Sequence, residues 1–159
     1  MTGPLVDDPA LLEPVTLRIA GDCPGYALSR VRVRGHVVAI DEPPERGGTD
    51  EGPAPTETLV AALVGVSNVI LRRIARRDGI AIRTLSVAAE AVLDRRGVWL
   101  AEAVGNPWRE VRLVLTIDTD ADDARLAVWA GELMRFSPVH ALLTAAGTPV
   151  AMRWERAGG

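Results

Sequence analysis

The stretch Pro53-Ala54-Pro55-Thr56-Glu57-Thr58-Leu59-Val60-Ala61-Ala62-Leu63-Val64-Gly65-Val66-Ser67-Asn68 decides the fold, together with its continuation through Leu71 to Arg72, Arg73, Arg76 and Arg77. Prolines close a loop, Thr56 is placed to cap, Glu57 suits the positive end of a helix dipole, and four arginines suit its negative end before Gly79. A helix over Thr56–Arg77 is predicted, about 33 Å long at 1.5 Å per residue. Its Leu59–Val66 portion carries no polar side chain through more than two turns, so it needs cover on every side. One chain of 159 residues has little material for that. The small residues Ala61, Ala62 and Gly65 therefore point to close approach by a second subunit.

Outward from this helix the pattern is α+β. Val15–Ala20 and Ala27–Ile40 read as strands, the second with Val31, Val33 and Val37 alternating against Arg30, Arg32, Arg34 and His36. That basic row is expected to be a solvated sheet face, with Arg34 as a possible anion contact. Residues 41–55 hold too many prolines, glycines and acids to continue a sheet, and form a long loop. Strands are expected at Ile82–Asp94, Val98–Val104 and Val111–Ile117, as an antiparallel meander. Asp120, Asp122 and Asp123 then lead a helix with Leu126, Trp129, Ala130 and Leu133 on one stripe, ending near Phe136. Ser137-Pro138 starts a short helix, with Ser capping and Pro in the first position, and Thr148–Trp154 is the last strand. The chain is read as one domain over 1–159, with an N-terminal extension at 1–13.

Composition excludes several chemistries. All 18 basic residues are arginine, so no lysine is present for a Schiff base or a P-loop. A net charge of −3 and six aromatics in all give neither the electrostatic footprint nor the stacking surface that nucleic acid requires. Cys23 is the only cysteine, which rules out an intrachain disulfide. His36, His140 and Cys23 have no neighbour at ligand spacing, so no metal and no cofactor is expected. Trp99, Trp108, Trp129 and Trp154 are assigned to core or interface. The acidic N-terminus lacks the features of a signal peptide, and Leu59–Leu71 is shorter than the roughly 20 residues of a membrane span, so a cytoplasmic protein without membrane contact is expected.

Val33-Arg34-Gly35-His36, Asp41-Glu42-Pro43 with Gly47-Gly48-Thr49-Asp50, Pro53 to Asn68, and Phe136-Ser137-Pro138-Val139-His140 follow in an order and spacing that resembles the OsmC/Ohr family of organic hydroperoxide reductases. The resemblance implies an intertwined homodimer in which antiparallel sheets flank long central helices. It also implies a peroxidatic cysteine on the central helix and a resolving cysteine before Pro-Val. Those positions here are Val66 and Ser137, which supply neither a nucleophilic thiolate nor a disulfide. The family's helper carboxylate falls at Thr56 or at Glu57, and its arginine has no clear counterpart in the turn Asp22-Cys23-Pro24-Gly25.

The leading expectation is thus an OsmC-like homodimer without peroxidase activity. Its former active-site pocket, assigned to Val66, Ser137, Glu57 and Arg34, would hold a small apolar ligand. Two alternatives stand beside it. One is a hydroperoxide reductase using Cys23 with an external thiol, which would keep peroxide as the small-molecule partner. The other is a serine hydrolase using Ser137 and His140.

Overall fold

The computed structural model describes residues 5–6 and 8–158; positions 1–4 and 7 of the expected N-terminal extension, and residue 159, lie outside the described residues. Backbone packing separates a unit built on Val6–Leu59 from one built on Val60–Gly159.

In the first unit, β1 (Ala20–Asp22), β2 (Ser29–Val33) and β3 (His36–Ile40) form an antiparallel sheet in that order. The strand expected at Val15–Ala20 is not there. Pairing begins only at Ala20 opposite Arg32, and Val15, Leu17 and Ile19 remain exposed. The continuous strand expected over Ala27–Ile40 is instead a hairpin, turning at Arg34-Gly35 with Arg34 at φ 56. Two-residue hairpin turns need positive φ, and an arginine before glycine is a weaker signal for it than asparagine or aspartate. The hairpin also breaks up the basic row: His36 pairs with Val33, on the valine side of the sheet, while Arg30 and Arg32 pair with Ala39 and Val37. Arg30 is bound to Glu51 at 2.6 Å and Arg32 to Asp22 at 2.5 Å.

The loop after β3 is organised by one carboxylate. Asp41 has no exposed surface. Its Oδ1 accepts from Glu42 N–H, and its Oδ2 accepts from the Thr49 hydroxyl (2.7 Å), Thr49 N–H (2.9 Å) and Glu51 N–H (3.2 Å). These bonds, the Thr49 hydroxyl foremost, hold its pKa down at about 2. The packing tolerates no side chain at Gly48, where a Cβ would lie 1.6 Å from the Glu42 carbonyl oxygen.

Helix α1 spans Pro55–Asp78, one residue longer at each end than expected. Thr56 is not its cap. Pro55 takes the first helical position, and Glu57 reaches back so that its Oε2 accepts from Ala54 N–H at 2.8 Å, the carboxylate half of a capping box. By length and composition α1 could cross a membrane, with a mean hydropathy of 1.6 over 18 residues, of which 28% are buried. The shorter stretch Leu59–Leu71 had understated it. A core helix meets the same criterion, and α1 does bury Leu63, Ser67, Leu71, Ile74 and Ala75.

In the second unit, β4 (Ile82–Leu93) pairs antiparallel with β5 (Trp108–Thr119), and β6 (Val150–Arg156) lies parallel to β5. The parallel pairing follows from chain order, because α2 (Asp123–Phe136) and α3 (Pro138–Ala145) make the crossover between β5 and β6. No strand forms at Val98–Val104: that segment is part of the turn between β4 and β5, and Trp99 is 55% exposed there. Val111, Leu113, Leu115 and Ile117 alternate inward from β5 and meet Leu63, Leu71 and Ile74 of α1, Leu126, Trp129 and Leu133 of α2, and Leu143 of α3. Trp129 is fully buried, and its indole N–H donates to Asp78 Oδ2 at 2.8 Å. Asp122 caps α2 by accepting from Arg125 N–H.

Leu115→Ala is expected to cost about 2–5 kcal/mol in denaturant melts, the range for a fully buried leucine. Asp41 stabilises the fold fully above the ordinary carboxylate pKa, and the contribution is lost as pH falls through about 2. In Asp41→Asn, cleavage of the 41–55 loop by a glutamate-specific protease is expected to accelerate at neutral pH.

Candidate functional site

Of the four residues expected to line a pocket, Arg34 and Glu57 belong to the first unit and Val66 and Ser137 to the second. Arg34 sits exposed in the β2–β3 turn and has no ion pair among the described residues. Glu57 is engaged by its capping bond, and its basic neighbour is Arg46 at 3.9 Å. Cys23 follows β1, is exposed, and lies with its Sγ 3.5 Å from Ser29 Oγ.

In the second unit, Val66 is half-buried and packs against the core. The next residue, Ser67, is fully buried and donates its hydroxyl to Leu63 C=O at 2.7 Å. A different face of the helix stays open: Ala61, Ala62, Gly65 and Val69 are exposed at helical spacing, with Val69 at 43%. Apolar surface of that kind on the longest helix of the chain is the feature expected to require a second subunit.

Ser137 is 1% exposed and joins two helices. Its N–H donates to Leu133 C=O and closes α2, and its hydroxyl oxygen accepts from the backbone N–H of His140 at 3.3 Å and opens α3. The cap is the one expected from Ser-Pro. The same bond separates Ser137 from a nucleophile–base pair, since the hydroxyl meets the main chain of His140 and neither imidazole nitrogen has a partner among the described residues. His140 is fully buried, and burial alone lowers its pKa. The sequence offers His140 as a base for Ser137 or as an isolated metal ligand; its burial is not legible from a short helix with one histidine.

Concavities occur at several places among the described residues. One of about 370 Å³ lies on the strand face at Ala88–Glu90, Arg112–Val114 and Ala151–Arg153. A second, of about 210 Å³, lies by Asp123, Leu126 and Trp154. A third, of about 310 Å³, lies between Pro24–Leu28 and Gly47–Thr49 in the first unit. Neither Val66 nor Ser137 lines any of them. Among the described residues no cluster of three metal-ligating side chains occurs.

A family model described as OsmC-like protein matches residues 48–153. No curated protein matches the chain. Among solved structures, the OsmC-like protein of Mycoplasma pneumoniae is 13% identical with a TM-score of 0.72, covering 91% of this chain and 99% of its own. An organic hydroperoxide resistance protein OsmC from Legionella pneumophila is 14% identical with a TM-score of 0.64, over 89% and 96% of the two chains. The organic hydroperoxide resistance protein OhrB of Bacillus subtilis is 16% identical with a TM-score of 0.58, over 89% and 98%. At these identities the likeness is one of fold.

Ser137→Ala is expected to lower stability by about 1 kcal/mol, the usual worth of a serine cap. A fluorophosphonate probe is expected to leave the native protein unlabelled, whereas labelling at Ser137 would restore the hydrolase alternative.

Proposed function

Because this chain belongs to the OsmC-like protein family, we propose that it is a non-redox homodimeric member, which binds a small apolar ligand where its relatives' sequence pattern places thiols. The observation that carries the reading is the pair Val66 and Ser137. One has a hydrocarbon side chain packed on the core, and the other has a hydroxyl committed to capping α3. A thiol peroxidase cycle needs a thiolate to attack the peroxide and a second thiol to release the sulfenic acid. Neither position supplies one.

Cys23 is the sole thiol, and a disulfide from it requires another molecule. Names that speak of hydroperoxide resistance belong to the structural neighbours. In this chain the reduction of hydroperoxide is replaced by binding.

The open face of α1 supports the homodimer. Ala61, Ala62 and Gly65 let two helices approach closely, and contact there removes apolar surface from water at about 25 cal/mol per Å². Beside that face, Val66 gives an apolar wall to a ligand held between subunits. A single domain over 1–159 and a cytoplasmic location belong to the same proposal.

Light scattering on the purified protein is expected to give a dimer, and Gly65→Glu a monomer. Cumene hydroperoxide with dithiothreitol or dihydrolipoamide is expected to remain unconsumed by the parent protein and to be reduced by Val66→Cys/Ser137→Cys. Turnover by the parent that disappears in Cys23→Ala would replace this reading with the Cys23 reductase.

A further inference from the structure

The corner between α2 and α3 depends on a residue shared by both helices and on a histidine that has nothing to bond. Ser137 closes α2 through its N–H and opens α3 through its hydroxyl. One turn past the far end of α3, Thr148 N–H donates to Leu143 C=O, and Gly147 takes up a φ of 79 that suits a helix stop. Inside this short segment His140 has no exposed surface, and among the described residues neither Nδ1 nor Nε2 has a hydrogen-bond partner. A neutral imidazole offers one donor and one acceptor, and an imidazolium offers two donors and a charge. Buried groups of this kind are ordinarily paired.

Among the described residues, each carboxylate of α2, of β6 and of the C-terminal end of α1 is already engaged by another group. On α2, Glu132 is held by Arg77 through two bonds, Asp123 is bound to Arg156, Arg125 faces Asp78, and Arg135 lies over the Phe136 ring. On β6, Arg153 pairs with Glu155, while Arg156 is the partner of Asp123. On α1, which shares the core with Leu143 of α3, Asp78 is taken by Arg77 and the Trp129 indole. The other charged residues at that end of α1, Arg72, Arg73 and Arg76, are exposed and basic, so they offer no counter-ion.

We infer that the α2–α3 corner is a proton-operated latch, closed while His140 is neutral and released when acid protonates it, carrying Ser137 away from its capping position. The sign follows from linkage. Burial lowers the pKa of His140 in the closed corner, whereas in the released corner it returns to the ordinary histidine value of about 6.5. The released form alone takes up a proton as pH falls below that value, so closure is complete above it and weakens progressively beneath it, down to the lowered pKa. Its consequence for ligand binding rests on the proposed role of Ser137, whereas the latch itself does not.

Amide hydrogen exchange on the full chain, corrected for the intrinsic effect of pH, tests it directly. Protection in residues 138–148 is expected to fall about tenfold per pH unit below about pH 6.5, one proton being taken up per opening. The β4–β5 amides should keep theirs. In His140→Phe, which has nothing to protonate, the pH dependence at the corner is expected to disappear. Histidine proton NMR of the unaltered protein supplies a second reading should that variant fail to fold: the His140 ring signals are expected to shift with pH only as the corner loses protection.

An unchanged pH slope in His140→Phe, a uniform loss of protection throughout the chain, or His140 taking up a proton in a still-protected corner would each overturn the latch. Binding of N-phenyl-1-naphthylamine, followed by its fluorescence over the same pH range, separates the two claims. Acid-weakened binding in the parent but not in the variant joins the latch to the ligand region. Exchange behaving as expected with no probe binding at any pH keeps the latch and removes the ligand reading.

Discussion

Everything in the second unit depends on the inward row of β5. Val111, Leu113, Leu115 and Ile117 are at most 1% exposed, and they share one core cluster with residues of all three helices. A strand presents alternate side chains to one face, so a one-residue slip would turn the whole row to solvent and bring Arg112 and Thr116 inward. Register is therefore specified strongly, both against β4 and against β6. With β5 fixed, the parallel docking of β6 is fixed as well, because α2 and α3 must span the crossover between them. The α2–α3 corner is the one place in that crossover where the chain changes direction between two helices. That explains why so small a residue as Ser137 carries two helix termini.

Elements with long-range period and strong ends were legible in the sequence. α1, α2, α3 and β4 stand within a residue or two of where the hydrophobic period and the caps placed them. What escaped was decided by partners far away in the chain or by a single backbone angle. Val15, Leu17 and Ile19 alternate as a strand should, yet pairing starts only at Ala20. Arg34 turns the chain with a positive φ that its side chain does not advertise. Val98, Trp99 and Leu100 have strand composition, but Asp94 draws Arg96 and Arg109 together at the base of the hairpin and the chain between them turns instead. Asp41 was one acid among several in a loop, and only folding reveals that four donors converge on it.

The candidate site was legible in a different way. The sequence pattern singled out Val66 and Ser137, and neither side chain carries a thiol. Geometry adds what each replacement does. Val66 serves packing and Ser137 serves the main chain, so both have acquired structural duties of their own. Glu57 likewise serves the main chain, accepting from the backbone N–H of Ala54.

His140 is the exception to this account of a quiet site. Its neighbour Ser137 is satisfied, Thr144 donates its hydroxyl to the His140 carbonyl, and Trp129 beyond it is bonded to Asp78, yet the imidazole is left without a partner on either side. An apolar ring of similar size would occupy the same volume without two unpaired nitrogens, and replacing unpaired polar groups by apolar ones is neutral or stabilising. For packing alone, therefore, histidine is a poor choice at this position. The property that distinguishes it from phenylalanine there is its capacity to take a proton, and a buried ring without a counter-ion turns that capacity into a force for opening the corner and not for tightening it.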